Sequence, residues 1–343
     1  MIDNILFLGH PQVSHALDTF FDGCLKVFGQ ANVYEYPILE KHHCVDNYDS
    51  FNLHTDIQPV YGWWCKNNMA FKEEFYLDEW AKKINNREIR YIVGSNRAMD
   101  NFIELLGLIE AESLQHICVV FVEEEHDLDF ELHKANVNML MPVWDKIDIY
   151  YRMDFVRGSV CPSDKIKPFY MSAREDKILE EIGFVKPFDD REFDVCYLVG
   201  PNHPNRRMYY DIINELKVGS NLIEFGTHNY SLNQYLNVIN NSKIFVSVRG
   251  NELSNTRNIE GPFCGSALFT ENIGIELPFD YEDGKSAIYY DSFNVLELLT
   301  SYVLNQEKLR HLASKSRQHC LGFHTSTRRA EQLLAEAKKI KGW

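Results

Sequence analysis

The sequence predicts an α/β protein made of two Rossmann-like domains, each built on a parallel sheet. Three observations predict it. At 343 residues the chain is long for one domain, and two domains of roughly 150 residues are the natural division. Both halves alternate short apolar runs of strand length with stretches of helical spacing, the β-α-β grammar that builds parallel sheets. Finally, polar loops with glycines and charged residues follow strands in both halves, where an open α/β sheet binds its ligands.

Residues 1–9 read as a buried strand ending at Gly9-His10-Pro11. A helix is expected from about Ser14 to Phe28, with Leu17, Phe20, Phe21, Cys24 and Leu25 at helical spacing. The strand 31–36 completes a first β-α-β unit. From Pro37 to about Met69 the pattern weakens into a stretch rich in aromatics and histidines, including His42, His43, Trp63 and Trp64. It reads either as a long loop packed over the sheet edge or as an acceptor-binding flap, since exposed Trp and Tyr stack well on sugars or bases. His42, His43 and Cys44 have no completing ligands at a usable spacing, so no metal is expected there. A helix over about 71–84, a strand over 89–93 with the loop Gly94–Arg97, a helix to about Ile109 and a strand over 117–122 follow. That last strand opens into Glu123-Glu124-Glu125-His126-Asp127-Leu128-Asp129. A strand over 147–151 is expected to end the first domain.

The composition is that of a soluble packed protein, with 45% hydrophobic and 25% charged residues. The formal net charge of −15 disfavours nonspecific binding to nucleic acid, although a local basic groove would still permit it. The eight cysteines are scattered with no C-x-x-C, and several sit in apolar runs, as expected of buried thiols in a reducing compartment. No apolar run approaches the ~18 residues needed to span a bilayer. The start lacks a basic n-region, and a cytoplasmic location is expected.

The second half opens with an apolar strand over 193–199 and the loop Gly200–Arg207. That loop joins a strand to a helix N-terminus, where backbone N–H groups and the helix dipole favour an anion. Arg206 and Arg207 add forked donors suited to a diphosphate, unless they are a solvated pair on a helix surface. A strand over 221–225 and a helix over 231–240 lead to the stretch VSVRGNELSNTRNIEGPFCGSALFT, residues 246–270. Here an apolar strand runs out into a loop with Arg249, Glu252 and Arg257. Glu260 then falls in the first turn of a short helix that Gly265 closes, and a strand follows over 267–270. A carboxylate such as Glu260 can accept hydrogen bonds from two neighbouring hydroxyls, unless it only complements a helix dipole. Strand 287–290, helices 295–304 and 306–316, and a last helix ending in Lys338-Lys339-Ile340-Lys341-Gly342-Trp343 complete the chain.

The stretch 246–270 carries a resemblance. Glu260-Gly261-Pro262-Phe263-Cys264-Gly265-Ser266-Ala267-Leu268 resembles the E-A-M-A-C-G-x-P-V segment of group 1 glycosyltransferases, retaining-type sugar transferases with the GT-B fold. Thr256, Arg257, Glu260 and Gly265 fit the T-R-x-x-E-x-x-x-x-G block of the spore-maturation-type branch. The family's usual Phe-Gly pair after its first glutamate is replaced here by Ser254-Asn255. The resemblance implies a GT-B architecture, two Rossmann-like domains facing a central cleft. It divides the chain into an acceptor-binding domain (1–165), a linker (166–190), a nucleotide-sugar-binding domain (191–325) and a C-terminal helix (326–343).

The resemblance also implies an enzyme, a hexosyl- or pentosyltransferase that moves sugar from a nucleotide-diphosphate sugar with retention of configuration. No cofactor or metal is implied, the donor being a substrate. Gly200, Arg206, Arg207, Arg249, Arg257, Glu260 and Gly265 would form the donor site, with Glu260 on the ribose hydroxyls, Glu252 near the transferred sugar, and Arg249 and Arg257 either neutralising phosphate or holding Glu252 and Glu260 in place. His10 and His126 are the candidates to relay the acceptor proton. The acceptor, a glycan, protein or small molecule, is not specified. Three other readings compete. The chain could be a binding protein that has lost turnover, a reading the missing Phe-Gly pair leaves open and the retained Glu252 and both arginines oppose. It could be a transferase acting on modified DNA bases, or Asp127-Leu128-Asp129 could mimic the D-x-D metal site of the other major glycosyltransferase fold.

Overall fold

The computed structural model describes residues 3–10, 14–39, 75–124, 130–158, 163–201, 203–226, 230–250 and 255–343, without the side chains of residues 15 and 130–133. The aromatic stretch expected as a flap lies almost wholly outside the described residues. The chain forms two compact units. Residues Met1–Met171, Glu276–Pro278 and Ser326–Trp343 make the first, and Ser172–Ile275 with Phe279–Thr325 make the second.

The first unit is a six-stranded parallel sheet of β1 (Ile5–Leu8), β2 (Val33–Tyr36), β3 (Tyr91–Ser95), β4 (Cys118–Glu123), β5 (Ile149–Arg152) and β6 (Ile166–Pro168). Its order is β2-β1-β3-β4-β5-β6. Residues of β1, β3 and β4 are buried throughout, as continuous apolar strands covered on both faces should be. Helix α1 (His15–Phe28) starts where Ser14 caps it, its hydroxyl accepting from Leu17 N at 3.0 Å, and it buries Leu17, Phe20, Phe21 and Cys24. Helices α2 (Leu77–Asn85) and α3 (Met99–Leu108) bury Trp80, Ile84, Phe102 and Leu105 in a core with Leu6 and Leu8 of β1, Ile92 of β3 and Val119 and Phe121 of β4. Helix α4 (Phe130–Leu140) precedes β5. Neither α4 nor β6 was expected. The sequence of α4 has no clear apolar stripe, and β6 is three residues ending in proline. Pro168 is tolerated because β6 is an edge strand, where a missing ladder N–H costs little.

The second unit is a five-stranded parallel sheet of β7 (Phe193–Val199), β8 (Asn221–Phe225), β9 (Ser242–Ser247), β10 (Ala267–Glu271) and β11 (Ile288–Tyr290), in the order β11-β10-β9-β7-β8. Its helices are α5 (Glu175–Ile182), α6 (Pro204–Ile213), α7 (Leu232–Asn240), α8 (Arg257–Phe263), α9 (Val295–Leu304) and α10 (Gln306–Phe323). Val195, Tyr197, Ile244, Val246, Phe269, Leu299 and Leu309 form its core. The stretch 166–190, expected as a linker with a helical patch near Arg174–Ile182, carries the last strand of the first sheet and, at that patch, the first helix of the second unit. The last helix, α11 (Ser326–Lys341), belongs to the first unit and packs along α1.

Both sheets begin in the middle and grow first one way and then the other. The direction switches between β1 and β3 in one unit and between β7 and β9 in the other. In such sheets the loops at the carboxyl ends of the two strands flanking the switch diverge and leave a crevice for ligand. The five described cysteines are buried free thiols, and burial pushes Cys196 and Cys320 up to about 12. Among the described residues no helix is long and apolar enough to cross a membrane.

Candidate active site

The loops after β7 and β9 flank the switch point of the second sheet. After β7 the chain leaves through Gly200, and α6 begins at Pro204, whose fixed φ and missing N–H suit the first helical position. His203 caps this helix, its Nδ1 accepting from Asn205 N at 3.1 Å. That bond places the proton of the neutral imidazole on Nε2. Burial holds His203 below its ordinary pKa, and the Arg249 and Arg206 cations push the same way against Glu271.

The two arginines of this loop part company. Arg206 is only 6% exposed. Its Nε donates to the Arg249 carbonyl at 3.2 Å, and its own carbonyl accepts from the Tyr197 hydroxyl at 2.7 Å. The guanidinium lies against the bare α-carbon of Gly250, where a Cβ would come within 2.6 Å of Nη2. A guanidinium fixed in this way keeps its planar fork of donors in one orientation. Arg207 instead lies exposed on α6, pairing with Asp211 at 3.1 Å and covering the rings of Tyr210 and Phe225. It is the solvated helix-surface arginine of the alternative reading.

Across the switch point, Arg249 N donates to Glu271 Oε2 at 3.1 Å, and the Arg249 Nε stands 3.6 Å from Oε1, an ion pair too long for a hydrogen bond. Glu271 ends β10, is buried, and also accepts from Asn205 Nδ2 at 3.1 Å. One carboxylate thus ties the start of α6 to the loop after β9. Residues 251–254 lie outside the described residues, and Glu252 with them. The chain resumes at Asn255, whose side chain accepts from Ser247 Oγ and from Arg257 N, the second bond starting α8.

Glu260 stands in the first turn of α8 and is buried. Its Oε2 accepts from the Tyr235 hydroxyl of α7 at 2.9 Å. Burial raises the Glu260 pKa, while Tyr235, Arg257 and the Thr256 hydroxyl pull it back. The Nε of Arg257 is buried without a hydrogen-bond partner. Burial raises the Tyr197 pKa, and the charges of Arg257 and Arg206 both oppose that rise. Gly265 does different work. It ends α8 at φ +84°, where a Cβ would sit 2.6 Å from Arg191 Nη2. Arg191 is buried there, held down to about 10 by burial, and donates to the carbonyls of Lys186, Ser242 and Cys264.

In the first unit, His10 follows β1, and Gly9 N donates to the Tyr36 carbonyl at 3.0 Å. After β4, Glu124 N donates to Asn96 Oδ1 at 2.8 Å and its carboxylate stands 3.4 Å from Arg97 Nε. The loops after β1, β3 and β4 therefore share the carboxyl edge of the sheet, as expected. His126, Asp127 and Asp129 lie outside the described residues.

His203, Asn205, Tyr235 and Glu271 were not foreseen from sequence. His203-Pro204 was open to recognition as a cap followed by proline at the first helical position. Tyr235 and Glu271 reach the site only through the strand order, and nothing in their own neighbourhoods announces them.

A family model described as "Glycosyl transferase-like" matches residues 184–335, covering most of the second unit. No curated protein matches the chain by sequence. Among solved structures, an alpha-glucosyltransferase in complex with UDP-glucose and DNA containing an abasic site is 10% identical, with TM-score 0.57 and coverage of 97% of this chain and 98% of that one. HepE from Anabaena, in complex with UDP and glucose, is 9% identical with TM-score 0.58, covering 98% and 100%. A glycosyltransferase from Rickettsia africae is 10% identical with TM-score 0.58, covering 98% of each chain. The fold is GT-B. Within a GT-B chain the second unit is the one matched by the family model, and it is the unit that carries Arg206 and Glu260.

Proposed function

We propose that the protein is a glycosyltransferase that takes its sugar from a nucleotide-diphosphate sugar held on the second unit. One observation carries this reading. The fixed guanidinium of Arg206 and the buried carboxylate of Glu260 stand at the starts of α6 and α8, which follow the two strand-end loops that flank the switch point, the place where this class of sheet receives a nucleotide. Glu260 would accept from ribose hydroxyls. Arg206, with the N-terminus of α6, would hold the diphosphate and stabilise its charge as it leaves. The match to the family model and the T-R-x-x-E-x-x-x-x-G block support the same reading, with the spore-maturation-type branch as its finer form.

In the reaction, the bond from the anomeric carbon to the diphosphate oxygen breaks and a bond to the acceptor oxygen forms. The acceptor proton passes to the departing diphosphate oxygen on the same face, so configuration is retained and no protein nucleophile is required. Glu252 would lie nearer the transferred sugar, with His10 or His126 tuning the rate. Arginines and a helix terminus supply the charge that a divalent metal would otherwise supply, so turnover should persist in chelator. The acceptor is expected at the first unit. The net charge of −15 disfavours a DNA acceptor.

Calorimetry against a panel of uridine, guanosine and adenosine diphosphate sugars tests the assignment. Micromolar binding of one donor, weakened about tenfold or more in Glu260→Ala and in Arg206→Ala, is expected, since a charge-assisted contact is worth ~1.5–3 kcal/mol. Unchanged affinity in both variants removes the donor site from this unit. NMR of the product linkage then reads the anomer, and an inverted product overturns the retaining mechanism.

A further inference from the structure

Resting on the reading of Glu260 as the ribose-binding carboxylate, the geometry points to Tyr235 as the positioning residue that fixes this carboxylate from a second helix and opposes its protonation. Glu260 is 4% exposed, and burial alone favours its neutral form. A protonated Glu260 would lose acceptor capacity and would no longer attract the hydroxyls it is there to receive.

Three groups oppose that loss. Arg257 lies on the same helix and acts through charge, and the Thr256 hydroxyl lies at the helix start. Tyr235 is the one that comes from another element, α7, and its hydroxyl donates to Oε2 at 2.9 Å. Among the described residues Cys264 also feels Glu260, and it is a buried thiol pushed upward that stays neutral. Burial, and after it the Glu260 charge, also raises Tyr235 well above the usual phenol range, so it remains a donor at every pH of interest.

The bond has a geometric effect as well. With Oε2 pinned from α7, the carboxylate plane cannot turn about its last torsion, and Oε1 keeps one orientation. A group that titrates in the folded site and is restrained by a neighbour's hydroxyl should reveal both facts in how it depends on pH.

The sign follows from linkage. A glutamate with a raised folded pKa binds more protons folded than unfolded, so it contributes stability below its ordinary value that is lost as pH rises through the folded pKa. Tyr235→Phe removes an influence that lowers this pKa. The variant's folded value is therefore higher still, and its deficit relative to wild type grows as pH rises. Wild type and Tyr235→Phe should then have similar melting temperatures at about pH 4, and the variant should fall behind by several degrees at about pH 8. Donor affinity should fall on acidification in both, with the midpoint moved upward in the variant.

The melting comparison needs no donor, so it separates this inference from the reading it rests on. If the melting deficit is the same at both pH values, or the binding midpoint does not move, Tyr235 merely packs and the inference is wrong. If the deficit grows with pH but no nucleotide sugar binds, the pair is real and the ribose assignment fails. Glu260→Gln is the control: combined with Tyr235→Phe it should abolish the pH dependence of the deficit, and persistence of that dependence overturns the inference.

Discussion

Arg206 shows how a single residue's surroundings decide what it can do. It and Arg207 are adjacent in sequence and chemically identical, yet one is fixed under a strand-end loop and the other is paired with Asp211 at the surface. An exposed ion pair one helical turn apart contributes little, so Arg207→Ala should leave donor affinity within about twofold. Arg206→Ala should lower it about tenfold or more. Gly250 makes the sharper test. A Cβ there meets Nη2 of the buried Arg206 guanidinium at 2.6 Å and must displace it, whereas the backbone is not in a left-handed conformation. Gly250→Ala should therefore lose diphosphate affinity on the scale of Arg206→Ala while remaining folded, with a lower melting temperature. Calorimetry and a thermal melt on the same sample read both; an alanine variant that binds normally would mean that the guanidinium's position does not matter. His203 adds a constraint of the same kind, because its capping bond fixes which ring nitrogen carries the proton.

Helix α8 illustrates the next scale, where the short element is shaped by what its glycines permit. Gly261 lets α8 lie directly on β9, since a Cβ would stand 2.6 Å from the Phe245 ring. Gly265 ends the helix in the left-handed region, with its α-carbon against Arg191. Gly265→Ala should cost about 2 kcal/mol or more, combining backbone strain with displacement of a buried, fully bonded guanidinium. Denaturant unfolding measures it. Donor affinity of the fraction that remains folded should change little, and a large selective loss would return Gly265 to the binding set. At this scale the sequence was legible where an element carries its own signal. The apolar runs of β1, β4, β7 and β9 and the periodicity of α1 were readable because burial on both faces of a parallel strand leaves a continuous mark. The strand β6 and helix α4 left none, the first being short and proline-ended, the second lacking an apolar stripe. The site divided in the same way. Arg206 and Glu260 were readable from loop position and local pattern, whereas Tyr235 and Glu271 act through neighbours 25 and 22 residues away. Contacts of that span are created by strand order, which local periodicity does not encode.

For the whole molecule the most consequential feature is that the chain's last helix belongs to its first unit. The sequence marks α11 as a helix but cannot say which sheet it covers. In the structure it buries Ala330, Leu333 and Ala337, and Gly23 of α1 approaches so closely that a Cβ would sit 1.9 Å from the Ser326 carbonyl oxygen. Ser326 Oγ donates to Asp22 at 2.6 Å. Farther along, Glu336 accepts from the Tyr151 hydroxyl at 2.8 Å and pairs with Lys167 at 3.3 Å. Lys341 reaches Asp148 at 2.8 Å, and Trp343 lies under Arg90 and against Tyr91. These contacts run from the first strand's following helix to the edge strand, so α11 covers β-sheet residues from β3, β5 and β6 that would otherwise face water. Each buried large apolar or aromatic contact is worth roughly 1–3 kcal/mol, and several are lost together if the helix is removed. A chain ending at Thr325 should therefore lose most of the first unit's stability, while the second unit, whose core lies entirely within residues 172–325, keeps its own. Amide hydrogen exchange resolves the two: protection should collapse in β1, β3, β4 and β5 and persist in β7, β9 and β10. The same truncated chain should still bind the donor nucleotide within severalfold of the full chain while turning nothing over. Unchanged protection of β1 and β3 would show that the first sheet does not depend on α11, and lost nucleotide binding would show that the second unit is not sufficient for it.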